Sequence, residues 1–517
     1  MSQLLLHEML ERQVQSRPRA TALVFRGQKL SYADLQDHVE KWASVLAQRG
    51  VKAGDAYGIV MRNSPEFVIT FFALVRLGAR AVPVNFLLKA DEIAYIFADA
   101  GAVGVITQPP FLGGVLEARK QLPGLRDVVI TGDRREDVLS FQQLLETAPP
   151  VNRVPRATDP DEVAMIIYTS GTTGKPKGAM LTHRNFISNV EQCLGMVKLS
   201  SKDTFLVLLP MFHSFAWTVC VLIPLYLGGA AVIVESIQPF GDVIKQIFKH
   251  RVKAFVAVPP IYAALLRVPF WWPMKFINPV RICISGAAAL PMPIHQKFEN
   301  KFRIPLMEGY GLTEASPVVC LNPENKRVPG SIGKALPGIQ LRIVDDAGQD
   351  LPLGEVGEIC IRGDNVMKGY YHQPEATREA FLDDAHQWLR SGDLGYLNAE
   401  GYVFISDRKK DLIIVKGLNV YPKEVEDILL SHPAVNEAAV IGILDDTGDE
   451  LIRAYVTLKE GTQVDKQDLL KLCRSHLAPY KCPRDLEIRK ELPKNAIGKI
   501  LKRTLRNEVV TGKQAGQ

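Results

Sequence analysis

The chain has 517 residues, 47% hydrophobic and 23% charged, a balance that excludes intrinsic disorder and gives enough apolar surface for three or four structural units. Net charge is +6, but 12 Lys and Arg face 4 Asp and Glu from Lys471 onward, so the first 470 residues carry −2 and the basicity belongs to the C-terminal tenth. Those charges are interleaved with apolar residues, a pattern that fits a folded lid over a small polyanion as well as a nucleic-acid contact. Seven cysteines (Cys193, Cys220, Cys283, Cys320, Cys360, Cys473 and Cys482) show no CxxC pair or His/Cys cluster, so neither a disulfide framework nor a structural zinc site is supported. Reduced thiols in the cytoplasm are expected.

The first residues are briefly apolar, but His7, Glu8, Glu11 and Arg12 follow at once, so no signal-peptide core is expected. Apolar runs then alternate with amphipathic ones. Strands are expected at 57–61, 81–84, 104–107, 128–131, 163–168, 204–209, 231–234, 254–258 and 280–285, with a Pro65-led helix to residue 77 between the first two. This alternation predicts an α/β fold of largely parallel sheets. The uncharged stretch 215–234 has the length of a membrane span, but Pro224 and Gly228-Gly229 divide it into a buried helix, a turn and a core strand.

The pattern changes near Gly338. Residues 339–407 read as short strands between turns, an antiparallel or barrel-like β unit. The charge-dense 408–411 is read as a hinge, and 412–517 as a small, mobile α+β domain. Within it, helices are expected at 422–430 and 465–477 and strands at 438–443 and 453–458. Residues 1–407 would then form one large N-terminal domain.

The segment with most chemistry is 168–178, YTSGTTGKPKG, directly after an expected buried strand. Small hydroxyl residues and glycines let backbone N–H and side-chain O–H groups surround phosphate oxygens, while lysines add counter-charge. The spacing is not that of a Walker A loop, because Pro176 stands where Ser or Thr must meet magnesium.

This string resembles the phosphate loop of the adenylate-forming superfamily, which includes acyl-CoA synthetases, carrier-protein adenylation domains and firefly luciferase. Further segments match in order: SGAAALP at 285–291, GYGLTE at 309–314, GEICIRGDNVMKGYYHQPEAT at 357–377, SGD at 391–393, DRKKDLI at 407–413, KGLNVYP at 416–422 and PKNAIGK at 493–499. The ordered set spans nearly the whole chain and most resembles fatty acyl-CoA synthetases.

The resemblance implies a set of roles. Thr169, Ser170, Gly171, Thr172, Thr173 and Lys175 surround phosphates; Gly286, Ala287, Ala288, Glu308, Gly309 and Gly311 shape the nucleotide site. Tyr310 stacks on adenine, Thr313 touches the α-phosphate, and Glu314 holds magnesium, a cation suited to one carboxylate plus phosphate and water. Asp393 and Arg408 contact ribose, Lys410 is the hinge, and Lys416 and Gly417 line the coenzyme A path. Lys499 bridges the attacking carboxylate and the α-phosphate as charge develops. His213 lies between acyl pocket and nucleotide, and Trp217, four residues on, would gate the acyl tunnel.

The implied reaction is ATP-dependent ligation of a medium- or long-chain fatty acid to coenzyme A through an acyl-adenylate, with AMP and pyrophosphate released. An aryl-CoA ligase for cinnamate- or benzoate-like acids and a loader of a separate carrier protein are the alternatives. Lys499 and Glu314 together speak against a non-catalytic sensor. A basic lid over ATP accounts for the C-terminal charge without nucleic acid. The Phe270-Trp271-Trp272-Pro273 cluster leaves a weak peripheral membrane contact open, and a homodimer is open too.

Overall fold

The computed structural model describes residues 4–133, 138–148, 156–169, 175–268, 277–415, 418–444, 450–495 and 498–514. Two compact units are distinguished: Met1–Gln340 with Ile361–Leu389, and Leu341–Cys360 with Arg390–Gln517.

The first unit is a mixed α/β body built on two sheets. In the seven-stranded sheet the order is Leu139–Ser140, Asp127–Ile130, Ala102–Thr107, Ala56–Val60, Arg80–Pro83, Val163–Thr169 and Lys177–Thr182. Its neighbours are parallel up to Val163–Thr169, which then pairs antiparallel with Lys177–Thr182. The nine-stranded sheet runs Lys334–Ala335, Val318–Leu321, Leu306–Gly311, Ile282–Ser285, Ala254–Ala257, Thr204–Val207, Ala230–Ile233, Thr21–Phe25 and Gln28–Ser31. Its central strands are parallel, so their C-terminal ends present loops along one edge, where ligands of open α/β sheets collect.

Burial explains why these strands read as unbroken apolar runs. Ala56–Val60, Ala254–Ala257 and Ile282–Ser285 are buried at every position, as strands covered on both faces must be. The 215–234 stretch forms a π-helical turn, Ala216–Leu222, a short helix, Ile223–Leu227, a left-handed Gly228 and the strand Ala230–Ile233. Among the described residues no helix is long and apolar enough to cross a membrane.

The turn-rich segment forms a four-stranded sheet in the order Gln340–Val344, Gly357–Arg362, Leu389–Leu397 and Val403–Arg408. The rest of the second unit holds the hairpin Ile413–Val415 and Leu418–Val420, and the sheet Val435–Leu444, Glu450–Leu458 and Asp485–Arg489. Helices Pro422–Ser431 and Lys466–His476 place Val425, Leu429, Leu469, Leu470 and Cys473 in the core of that smaller sheet. The seven cysteines are free thiols, all buried except the half-buried Cys482.

Candidate active site

Within the first unit, Leu306–Gly311 delivers the GYGLTE motif to the C-terminal edge of the nine-stranded sheet. Gly311 is obligatory, since a Cβ there would collide with the Pro317 carbonyl oxygen. The strand gives way to a single 3-10 turn, Thr313–Ala315, followed by Ser316 at φ 68°, a conformation sparsely allowed for a residue with a Cβ. That corner sets Thr313 Oγ1 3.3 Å from Ser214 Oγ and carries the half-buried Glu314 next to it.

Two hydroxyls converge on that carboxylate. Thr169 donates to Glu314 Oε1 across 3.1 Å, and Tyr370 donates to the same oxygen across 3.0 Å. Burial, then the Glu314 charge, raise the Tyr370 pKa well above its ordinary value, so the phenol stays a donor. Segment 369–371 reaches the site by pairing along Lys177–Thr182: Met180 N–H donates to Gly369 O at 2.9 Å and Tyr371 N–H to Gly178 O at 2.8 Å. Thr169 lies opposite Lys177 in the antiparallel register, and the Lys177 ammonium sits 5.3 Å from the Tyr370 ring centroid. Lys175 lies 5.4 Å from the Tyr95 ring centroid. Thr169 and Lys175 thus flank the expected phosphate loop; Ser170, Gly171, Thr172 and Thr173 lie outside the described residues.

A pocket with about 740 Å³ of empty space, its open mouth included, begins beside this corner. Gly286, Ala287, Gly309, Tyr310, Gly311 and Thr313 line its polar end with His213 and Ser214. The Phe215 N–H donates to His213 Nδ1 at 3.2 Å. Gly286 admits the Phe215 ring, since a Cβ there would come within 2.8 Å of it. Ala287 sits at φ 65°, a second strained position at the same edge. Among the described residues every other one lining the pocket is apolar, and none carries a charge.

Three further sequence-derived candidates lie in this unit. Trp217 does not line the pocket; its ring is buried against Phe71 and Phe67 at centroid distances of 4.5 and 5.2 Å. The Trp217 N–H donates to the His213 carbonyl at 3.1 Å, closing the first helical turn; two residues from the pocket-lining Phe215, the Trp217 side chain faces the other way. Glu308 turns its carboxylate inward and accepts the Leu290 N–H at 2.9 Å, which positions the SGAAALP loop. Ala288 is half-buried and does not line the pocket.

The second unit carries its own cluster. Asp393 and Arg408 face each other across antiparallel strands, with Arg408 Nε 3.1 Å from Asp393 Oδ1. Lys499 ends a turn in which Asn495 N–H donates to the Lys499 carbonyl and Lys499 N–H to Asn495 Oδ1, both at 2.9 Å. Its pKa is pushed down to about 8, chiefly by loss of hydration and then by the Arg408 charge, against an opposing pull from Asp393. Lys410 lies in the 3-10 turn Lys409–Asp411, its pKa lowered by burial and Arg408. That turn is pinned from two sides: Lys409 meets Asp346 at 2.8 Å and Glu358 at 3.2 Å, and Asp411 meets Arg506 at 2.9 Å. Lys416 and Gly417 lie outside the described residues, as does the 270–273 aromatic cluster.

Both units match known families at their motifs. An AMP-binding enzyme model matches residues 10–371, and a model of the AMP-binding enzyme C-terminal domain matches 424–499. The chain belongs to the AMP-binding enzyme family. A long-chain-fatty-acid–CoA ligase of Bacillus subtilis (strain 168) is 35% identical over 522 residues, covering 95% of this chain and 92% of the relative. A feruloyl-CoA synthase of an Amycolatopsis species is also 35% identical, over 506 residues and 96% and 97% of the two chains. Among solved structures, an anthranilate CoA ligase in complex with anthranoyl-AMP superposes with a TM-score of 0.89 at 29% identity, covering 98% of this chain and 97% of that one. This AMP-binding enzyme is therefore an AMP-forming acid–CoA ligase of the adenylate-forming superfamily, close to the fatty acyl-CoA synthetases.

The sequence passed over Tyr370, Lys177 and Ser214. Tyr370 lies in irregular chain inside a matched segment, where periodicity gives no hint of which side chain points at a carboxylate.

Proposed function

We propose that this ligase activates a fatty acid, and the observation that carries the reading is the uncharged, apolar pocket opening on Tyr310, Thr313 and His213. A dicarboxylic acid or a polar aryl acid would bury a group with no partner there, at a cost of about 1–3 kcal/mol for a neutral group and more for a charge. A plain hydrocarbon tail has no such need. The identity to the feruloyl-CoA synthase keeps an aryl acid as the second reading.

In the first half-reaction the carboxylate oxygen attacks the α-phosphorus of ATP and pyrophosphate leaves. Thr313 and the 170–175 loop hold phosphate oxygens, Tyr310 stacks on adenine, and Asp393 with Arg408 holds the ribose. Lys499 places its ammonium where negative charge accumulates between carboxylate and phosphate. Magnesium would rest on Glu314 alone, both of whose side-chain hydrogen bonds use Oε1: among the described residues no group of three or more acidic, His or Cys side chains could hold a metal, so phosphate and water would complete its shell. Bound there with phosphate and water, it would neutralise charge on the triphosphate.

In the second half-reaction the thiol of coenzyme A attacks the acyl carbonyl and AMP leaves, with Lys416 and Gly417 on the thiol's path. Residues 408–411 serve as hinge, Lys410 within them, and 412–517 as the lid that withdraws Lys499 between steps. An assay of thioester and pyrophosphate with magnesium, ATP, coenzyme A and a panel of acids tests this. Thioester from straight-chain acids supports it; turnover of hydroxycinnamates alone favours the aryl reading, and pyrophosphate without thioester favours a carrier protein as acceptor.

A further inference from the structure

The pocket lies on one face of the nine-stranded sheet, and the strand register supplies a ruler for its depth. Ile284 and Ile282 lie two residues apart on the pocket face, and Phe205, Ala254 and Ile282 form one row across three parallel strands. All four line the pocket. From Gly286 at the polar end down to the Ile282 row is four residues, about 13 Å at strand rise. The roof gives a second measure: Phe215, Val219 and Ile223 line it at intervals of four, a span of at most about 12 Å at helical rise.

Below that row the pocket has a floor. Val197 and Leu199 line it, and Lys198 between them is held by its carbonyl, which accepts Arg281 Nη2–H at 2.7 Å. Arg281 also stands 4.0 Å from Asp203, whose carboxylate accepts the Ser200 N–H at 2.7 Å and the Ser200 hydroxyl at 3.0 Å. The guanidinium is therefore a clamp across the turn that closes the far end, and it is attached to the residue just before Ile282.

We infer that this pocket measures chain length: it accepts a straight-chain acid of about ten carbons, given carbon–carbon bonds of about 1.5 Å in zigzag over that depth, and the Arg281 clamp sets the limit. The inference rests on the fatty-acid reading above and narrows it to medium-chain acids. A longer chain must displace the floor, and a chain well beyond the fit loses about ten-fold or more in specificity. Ala254 is the gauge residue, because it is the smallest side chain in the floor row and faces the lumen.

The test is kcat/KM for saturated acids from six to eighteen carbons, with benzoate and hydroxycinnamates alongside, for the full-length enzyme, Ala254→Leu and Arg281→Ala. The unaltered enzyme should peak near ten carbons and fall at least ten-fold by sixteen. Ala254→Leu should move the peak down by two or more carbons. Arg281→Ala, a change at the outer side of the floor, should raise the ratio of sixteen- to ten-carbon activity about ten-fold and stands in if Ala254→Leu does not fold. Equal activity on ten and sixteen carbons, or variants that scale every length alike, would overturn the length gauge and leave the fatty-acid reading in place. Turnover of aryl acids with none of any fatty acid would overturn both.

Discussion

Tyr370 donates its phenolic hydrogen to Glu314 Oε1 across 3.0 Å, the oxygen that Thr169 also engages at 3.1 Å. Three segments far apart in sequence thus fix one carboxylate. Tyr370→Phe should therefore lower kcat/KM for ATP about ten-fold, the worth of one hydrogen bond to a charged group, and raise the magnesium concentration needed for half-maximal rate. Glu314→Gln should cost at least ten times more. Steady-state kinetics over a magnesium titration checks both; a Tyr370→Phe enzyme with unaltered magnesium dependence would make that tyrosine a packing residue.

Lys499 predicts a pH dependence. Its folded pKa, about 8, lies below the ordinary lysine value, so the ammonium is present below pH 8 and lost above it. The adenylation rate should fall as pH rises through about 8, and Lys499→Arg should remove that limb, because a guanidinium stays charged. Stability carries the opposite sign. Between the folded pKa and the ordinary one the unfolded chain binds more protons, so the Lys499 contribution becomes less unfavourable as pH rises there. Lys499→Gln should raise the melting temperature of the enzyme at pH 7.

Trp217 is a core residue. Trp217→Phe should lower thermal stability through lost contact with Phe67 and Phe71 while leaving the relative kcat/KM across acids as it was. A changed acid profile would return the tryptophan to the pocket.

Gly311 tests the corner that places Thr313 and Glu314. Gly311→Ala must push the chain away from Pro317 O, at a cost of about 3 kcal/mol. Calorimetry should show a lower melting temperature, and pyrophosphate release should fall more than the thiol step with supplied acyl-adenylate.

The fold was legible where physics writes a strong pattern. Parallel strands such as Ala254–Ala257 and Ile282–Ser285 are buried on both faces and read as plain apolar runs. Thr21–Phe25 and Lys177–Thr182 went unread, the first beside an exposed edge strand and the second beginning with Lys177-Gly178. Motif order singled out Tyr310, Thr313, Glu314, Asp393 and Lys499, whose roles stand as proposals. It did not show that Trp217 packs on Phe67 and Phe71, because a π-helical turn leaves no periodic trace, nor that Glu308 accepts the Leu290 N–H of a loop eighteen residues away. The Tyr370 contact depends on a loop pairing with a strand nearly two hundred residues earlier, and no local pattern encodes that.

Whether one lysine serves one half-reaction is tested most directly by Lys499→Ala assayed on each step alone. Pyrophosphate release from acid and ATP should fall at least a hundred-fold, while conversion of supplied acyl-adenylate to the thioester should stay within a few-fold of the unaltered enzyme. Equal loss of both steps would contradict it.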